Sequence, residues 1–115
     1  MGKVESDTLY GTLNLLILKT LAEGPLHGLA ISRQIHASTS DKLKIEEGAL
    51  YPALHRLERD ELVGGRWGIS ETRRRAKFYK LTKKGRSHLQ REMKRWLGHA
   101  SAVAAVLDVV PAWSD

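Results

Sequence analysis

Arginine and lysine crowd one half of this sequence, in an arrangement suited to holding a polyanion rather than to breaking a bond. Between residues 72 and 95 stand eleven basic residues and one acid, Glu92. Residues 42–95 carry 16 Lys/Arg against 7 Asp/Glu, a balance of +9, while the rest of the chain carries 3 against 6, a balance of −3. A density of that kind draws nucleic acid over the short range that salt screening allows. A solvated basic surface is the plain alternative. The tightest cluster lies in SETRRRAK, where Arg73, Arg74, Arg75 and Lys77 suit phosphate contacts and one arginine suits a narrow minor groove.

A second group of candidates lies in EEGALYPALHRLERDEL. At about 100° per residue, Leu50, Ala53, Leu54 and Leu57 share one side of a helix, and Gly48, Pro52, His55 and Arg59 share the other. The apolar side must be core. A solvated outer side would be better served by Glu, Lys or Ala than by glycine and proline, which weaken helices. Gly48, Ala49 and Pro52 instead leave room for a backbone to approach bases and phosphates, as a recognition helix requires. Around them, Lys44, Tyr51, His55, Arg56 and Arg59 supply donors; an Arg can bind guanine with two bonds, and Tyr or His can reach a phosphate or a base. Tyr51 leads this set, with packing on the preceding helix as its structural alternative. Arg59, late in the helix, suits a phosphate contact or a pair with Glu58 or Asp60.

Catalytic and metal chemistry find little support. No P-loop, nucleophile elbow or HExxH pattern occurs, so an enzyme is not expected. His88 and His99 share a helix face but stand about 16 Å apart along its axis, too far to share an ion, and His27 and His36 align poorly. No metal or cofactor is expected.

These side chains need elements to hold them. Leu9, Leu13, Leu16, Ile17 and Leu21 recur at helical spacing over residues 8–23, until Gly24-Pro25 ends the run. A second, short helix is expected over LHGLAISRQIHAS, with Ile31 and Ile35 one turn apart. The third helix is the outer-face stretch, starting near Glu47 or Gly48, which would put Pro52 in the first turn where a missing amide costs little. Val63, Trp67 and Ile69 then fall on one strand face, and Tyr79 and Leu81 of KFYKLT on another, joined as a hairpin with a long basic tip. Thr82 suits the N-cap of a last helix.

That last helix carries a heptad seam: Leu89, Met93, Trp96, Ala100, Val103, Leu107 and Val110 step by four and three. The seam is roughly 30 Å long, more than a small domain can cover, so a second copy of the chain is its expected partner, with folding back onto the first helix as the alternative. Trp96 is large for a tight two-helix contact. It is therefore a candidate wall for a flat aromatic effector, though such a Trp is more often core. The expected organisation is a DNA-binding domain over residues 1–82 and a dimerisation helix with its tail over residues 83–115.

The bulk composition agrees with one folded domain: 115 residues, 42% hydrophobic and 28% charged. There is no cysteine, which removes disulfides and thiolate sites and fits a reducing cytoplasm. No run of ~20 apolar residues spans a membrane, and nothing at the N-terminus resembles a cleavable signal. Gly2 and Ser6 match a myristoylation pattern too short to weigh. A cytoplasmic protein is expected.

Three helices, a two-stranded ribbon with a basic tip and a long helix describe a mainly α chain with a small β-ribbon, an α+β winged helix-turn-helix with a C-terminal dimerisation helix. Three segments, LLILKTLAEGPLHGLAISRQI, GALYPALHRLERDELV and RWGISETRRRAKFYKLTKKGR, closely resemble the PadR-type transcriptional regulators in their short form, over most of residues 9 to 86. The resemblance implies a bacterial homodimeric repressor that binds an inverted-repeat operator in double-stranded DNA through helix three and the wing. One departure is Glu61, where such proteins commonly carry glycine. A left-handed residue there would cost roughly 1 kcal/mol, so a different helix exit is expected.

From another class comes a winged-helix interaction module whose basic wing meets an acidic protein. Affinity for duplex DNA at physiological salt separates the two. A single-stranded RNA binder would need stacked aromatics, and only Trp67, Phe78 and Tyr79 cluster near the ribbon.

Overall fold

The computed structural model describes residues 12–111 and 113. Helix α1 (Leu13–Thr20) continues into a 3₁₀ turn (Leu21–Glu23), and a two-residue strand β1 (Leu26–His27) leads into α2 (Gly28–Ser38). Then follow α3 (Glu47–Arg59), the hairpin β2 (Val63–Ile69) and β3 (Arg75–Leu81), and the long helix α4 (Lys83–Leu107). Residues 8–11 of the expected first helix lie outside the described residues.

The core is one cluster fed by every element. Leu13, Ile17, Leu18 and Leu21 meet Ile31 and Ile35 of α2, the buried face of α3, and Val63, Tyr79 and Leu81 of the hairpin. Leu50, Ala53, Leu54 and Leu57 are all buried, so the α3 stripe faces inward as its spacing requires. A fully buried Leu or Ile contributes about 1.5–3 kcal/mol relative to exposure, and Ile17, Ile31 and Leu54 are each 0% exposed.

The ribbon is wider than expected. β1 adds to the free edge of β3, with Leu26 opposite Tyr79 and His27 opposite Phe78, giving an antiparallel sheet in the order β1-β3-β2. The hairpin pairs from Val63–Leu81 to Ile69–Arg75, so Arg75 and Lys77 belong to a strand and the tip shrinks to residues 70–74. That turn is closed by Ser70 N–H to Arg74 O at 2.8 Å and Arg73 N–H to Ser70 O at 2.9 Å, with Arg73 left-handed at φ 62°.

Helix α3 starts at Glu47, as its sequence predicts, but the place of Pro52 within it and its exit both differ from expectation. Pro52 is the sixth residue of α3, inside the helix rather than in its first turn, so the Gly48 carbonyl cannot receive an amide from residue 52. The α3 exit does use a left-handed residue: Glu61 has φ 62°, while Leu62 N–H reaches Leu57 O at 2.9 Å and Glu61 N–H reaches Glu58 O at 3.0 Å. This is a Schellman cap built on glutamate. Its geometry is held from outside, because the Thr82 hydroxyl donates to Glu61 O at 2.7 Å while accepting from Gly85 N at 2.9 Å as the N-cap of α4.

The heptad seam divides. Leu89 is buried in the chain's own core and Met93 packs against it, so Leu89 is not available to a second copy as the heptad reading expects. Beyond them Trp96, Val103 and Leu107 are 37%, 42% and 65% exposed, and Ala100 is half-buried. Val110 falls out of register, since α4 ends at Leu107 with Asp108 left-handed at φ 58°. The chain is elongated, with extents of 49 × 33 × 24 Å.

Candidate nucleic-acid interface

Helix α3 presents its outer side to solvent because the inner side is fully committed to the core. Lys44, just before it, and Gly48, Tyr51, Pro52, His55, Arg56 and Arg59 are all exposed. Ala49 is the exception, since it leans onto the core rather than lying on the open face. A Cβ placed on Gly48 would meet no atom within 4 Å. Packing inside the protomer therefore gives no reason for glycine there. Arg59 Nε lies 3.5 Å from Asp60 Oδ1, one of the two pairings its sequence position suggests.

Tyr51 is both exposed and packed. The residue is 44% exposed, yet its ring lies against the start of α2, where a Cβ on Gly28 would approach Tyr51 Cε1 to 2.8 Å. Gly28 thus permits a close approach that fixes the ring's direction, with its hydroxyl beside the same helix start.

The wing cations do not form one set. Arg73 and Arg74 stand on the exposed tip, and Arg75 lays its guanidinium 4.5 Å above the Trp67 ring. Lys77, expected at a phosphate, is instead half-buried with Nζ donating to Glu58 Oε1 at 2.7 Å. The Glu58 carboxylate raises the Lys77 pKa from its ordinary value. The pair bolts the hairpin to α3, and it fits because Gly65 has no Cβ, which would collide with the Lys77 side chain and approach Glu58 Oε2 to 2.7 Å.

A second brace was not legible in the sequence. His27 is 7% exposed and caps α2, its Nδ1 accepting from Ala30 N at 3.3 Å. With Nδ1 an acceptor, Nε2 carries the proton and donates to Glu71 in the wing tip, at 3.2 and 3.3 Å from the two carboxylate oxygens. Phe78 holds the imidazole edge-on, with centroids 5.4 Å apart. Arg33 Nη1 lies 3.9 Å from the same carboxylate. A bond from its own backbone amide and the His27 bond lower the Glu71 pKa below the usual carboxylate value. His27 and Glu71 are 44 residues apart, and only the leading position of His27 before a helical pattern hints at a cap.

Two elements, then, stand side by side on one face: an open-sided helix, and a basic hairpin tied to that helix by Lys77–Glu58 and to the start of α2 by Glu71–His27. Residues 17–91 match the family model described as the transcriptional regulator PadR-like family. The chain belongs to that family. PadR-like proteins are DNA-binding transcriptional regulators rather than enzymes, and the winged-helix α+β fold is theirs. A transcriptional regulator from Clostridium thermocellum superposes with a TM-score of 0.79 at 28% identity, covering 89% of this chain and 96% of that one. A PadR-like regulator from Bacillus cereus gives 0.76 at 25% identity, covering 89% and 97%. An uncharacterised Lysinibacillus sphaericus protein is 31% identical over 93 residues, 81% of this chain and 85% of its own. Among the described residues of this PadR-like chain, no helix is long and apolar enough to cross a membrane.

Proposed function

We propose that this PadR-like regulator is a repressor that acts as a homodimer on an inverted-repeat operator, with α3 in the major groove and the tip of the wing on the flanking backbone. The observation that carries the reading is Gly48, exposed in the first turn of α3 on the side that leads to Pro52, His55 and Arg59, and unexplained by any contact within the chain. Tyr51, His55 and Arg56 are the proposed base or phosphate contacts, Lys44 and Arg59 phosphate contacts, and Arg73, Arg74 and Arg75 the wing's grip. Lys77 serves them as a brace. The exposed distal half of α4 supports dimerisation through Trp96, Ala100, Val103 and Leu107, so that residues 83–115 pair the two DNA-binding units.

The test is anisotropy titration against the DNA upstream of the protein's own gene at several salt concentrations, followed by footprinting. A dimer neutralising ~6 to 8 phosphates gives a slope of log affinity on log salt near −5 to −7. A protected palindrome with half-sites about one turn apart is the expected footprint. Equal affinity for an acidic protein and none for duplex DNA would favour the interaction-module reading instead.

A small aromatic effector is proposed at Trp96, whose ring lies 5.6 Å from that of Trp113 in a tilted pair, both partly exposed. The pair offers a flat apolar ligand a surface to stack on. Titration with planar aromatic compounds should quench Trp fluorescence and lower DNA affinity; no response at millimolar concentration removes the effector from the mechanism.

A further inference from the structure

Glu71 is the one acid in a strongly basic hairpin, and it turns away from the wing arginines. Its carboxylate points to α2, held by His27 Nε2 at 3.2 Å, with Arg33 at 3.9 Å. The Arg33 separation is close enough for charge attraction but too long for a hydrogen bond, so the guanidinium is loosely engaged. Glu71 and Arg33 both border a cleft of about 400 Å³ between α2, Tyr51 of α3 and the wing, which Trp67, Arg74 and Arg75 also line. Glu71 is the sole carboxylate among the residues lining that cleft, against Arg33, Arg74, Arg75 and Lys77.

The cleft lies between the two elements proposed to read the duplex. In helix-turn-helix proteins the helix before the recognition helix crosses the sugar-phosphate backbone, and here that helix is α2, which carries Arg33. An arginine so placed is suited to a phosphate, yet in the free protein its partner is a carboxylate supplied by the wing.

We propose that Glu71 is a specificity-determining residue: a stand-in for a DNA phosphate that occupies the anion position of this cleft, positions the wing tip through His27, and withholds Arg33 from duplexes that do not dock in register. Binding to any duplex relies on phosphate contacts, and Glu71 opposes one of them by keeping Arg33 engaged. A fully docked operator, brought close by base contacts from α3, places a phosphate where Arg33 can exchange the carboxylate for it. Arg33 then adds to specific binding and little to non-specific binding. This inference rests on the reading of α3 and the wing as the DNA-binding face.

Glu71→Gln separates charge from geometry, because the amide oxygen can still accept the His27 bond. Anisotropy titrations of the full chain would compare an unrelated duplex with the upstream fragment at several salt concentrations. For Glu71→Gln the unrelated duplex should bind about 3- to 10-fold tighter, with a slope steeper by about 2, one extra phosphate per protomer in a dimer. The upstream fragment should gain less, so the ratio between the two duplexes falls. Adding Arg33→Met to Glu71→Gln should abolish the gain on the unrelated duplex, and Arg33→Met alone should weaken the upstream fragment while leaving the unrelated duplex unchanged. The single Arg33→Met variant keeps the test intact should Glu71→Gln fail to fold. An unchanged slope and ratio in Glu71→Gln, an equal weakening of both duplexes, or a gain that survives Arg33→Met each overturns the proposal. Wild-type protein with no salt-dependent affinity for duplex DNA would overturn the DNA-binding reading itself, which the variants do not test.

Discussion

At the scale of single residues, two positions set local stability against something outside the protomer. Gly48 has open space where a Cβ would stand, so Gly48→Ala should stabilise α3 by about 0.5–1 kcal/mol through helix propensity alone. If the helix face meets DNA closely, the same methyl group should weaken operator binding by about 1 kcal/mol, roughly fivefold. Thermal melting and anisotropy on one variant read the two signs separately, and a methyl that improves stability without touching affinity removes Gly48 from the interface. Glu61 presents the opposite case. Its φ of 62° strains any L-residue, whereas the bonds that hold the cap run through backbone atoms and survive a side-chain change. Glu61→Gly should therefore raise stability by about 0.5–1 kcal/mol with DNA affinity unaltered, since glycine relieves the left-handed strain but adds unfolded-state freedom. Resemblance pointed to the unusual residue here, but the sequence could not say whether the turn or the residue gives way. The structure shows the residue giving way, because Thr82 grips the Glu61 carbonyl from the other side of the fold.

At the scale of elements, the wing is useful only as far as it is held against α3. Lys77–Glu58 is the firmer of the two ties, with both side chains about two-thirds buried. Replacing Lys77 by Met should lower stability by about 1 kcal/mol and loosen the hairpin, leaving a half-buried carboxylate without its partner. The pH dependence has a definite sign. Lys77 has a raised pKa in the folded chain, so its contribution is fully present below the unfolded lysine value and is lost only as pH rises through the higher folded one. The stability gap between wild type and Lys77→Met should stay constant from pH 6 to 9 and close in strongly alkaline solution; a gap that already closes by pH 9 would mean the pair is not the brace. Helical spacing made the apolar faces of α1, α2 and α3 legible, because those positions report their own burial. Strand β1 was not legible, as two residues carry no period and their ladder partners lie some fifty residues downstream. The same reason hid Lys77 among the wing cations: a lysine 19 residues from Glu58 looks like any other until the hairpin folds back on the helix. His27 and Glu71 belong to the same class of tertiary pairs.

At the scale of the whole molecule, the question is what covers the far half of α4. The heptad spacing follows a long helix as far as Leu107, but periodicity cannot distinguish the part claimed by the chain's own core from the part left over. Leu89 and Met93 enter the core, while Trp96, Leu97, Val103, Val106 and Leu107 are 37%, 40%, 42%, 87% and 65% exposed on the helix that continues past it. Large apolar side chains repeated along a projecting helix are unfavourable in a solitary chain and favourable between two. Val103 makes the sharpest probe, because it is substantially exposed in the protomer and its replacement disturbs no buried contact of the winged-helix core. Val103→Glu should leave the melting of an isolated protomer nearly unchanged while shifting sedimentation from dimer to monomer. Operator affinity should then fall by about 100-fold or more, since two linked half-site contacts become two independent ones. The salt slope should fall to about half as well, because a monomer meets half the phosphates. A variant that sediments as a monomer yet keeps both the affinity and the slope of the wild type would place DNA recognition in a single protomer and leave α4 some other partner.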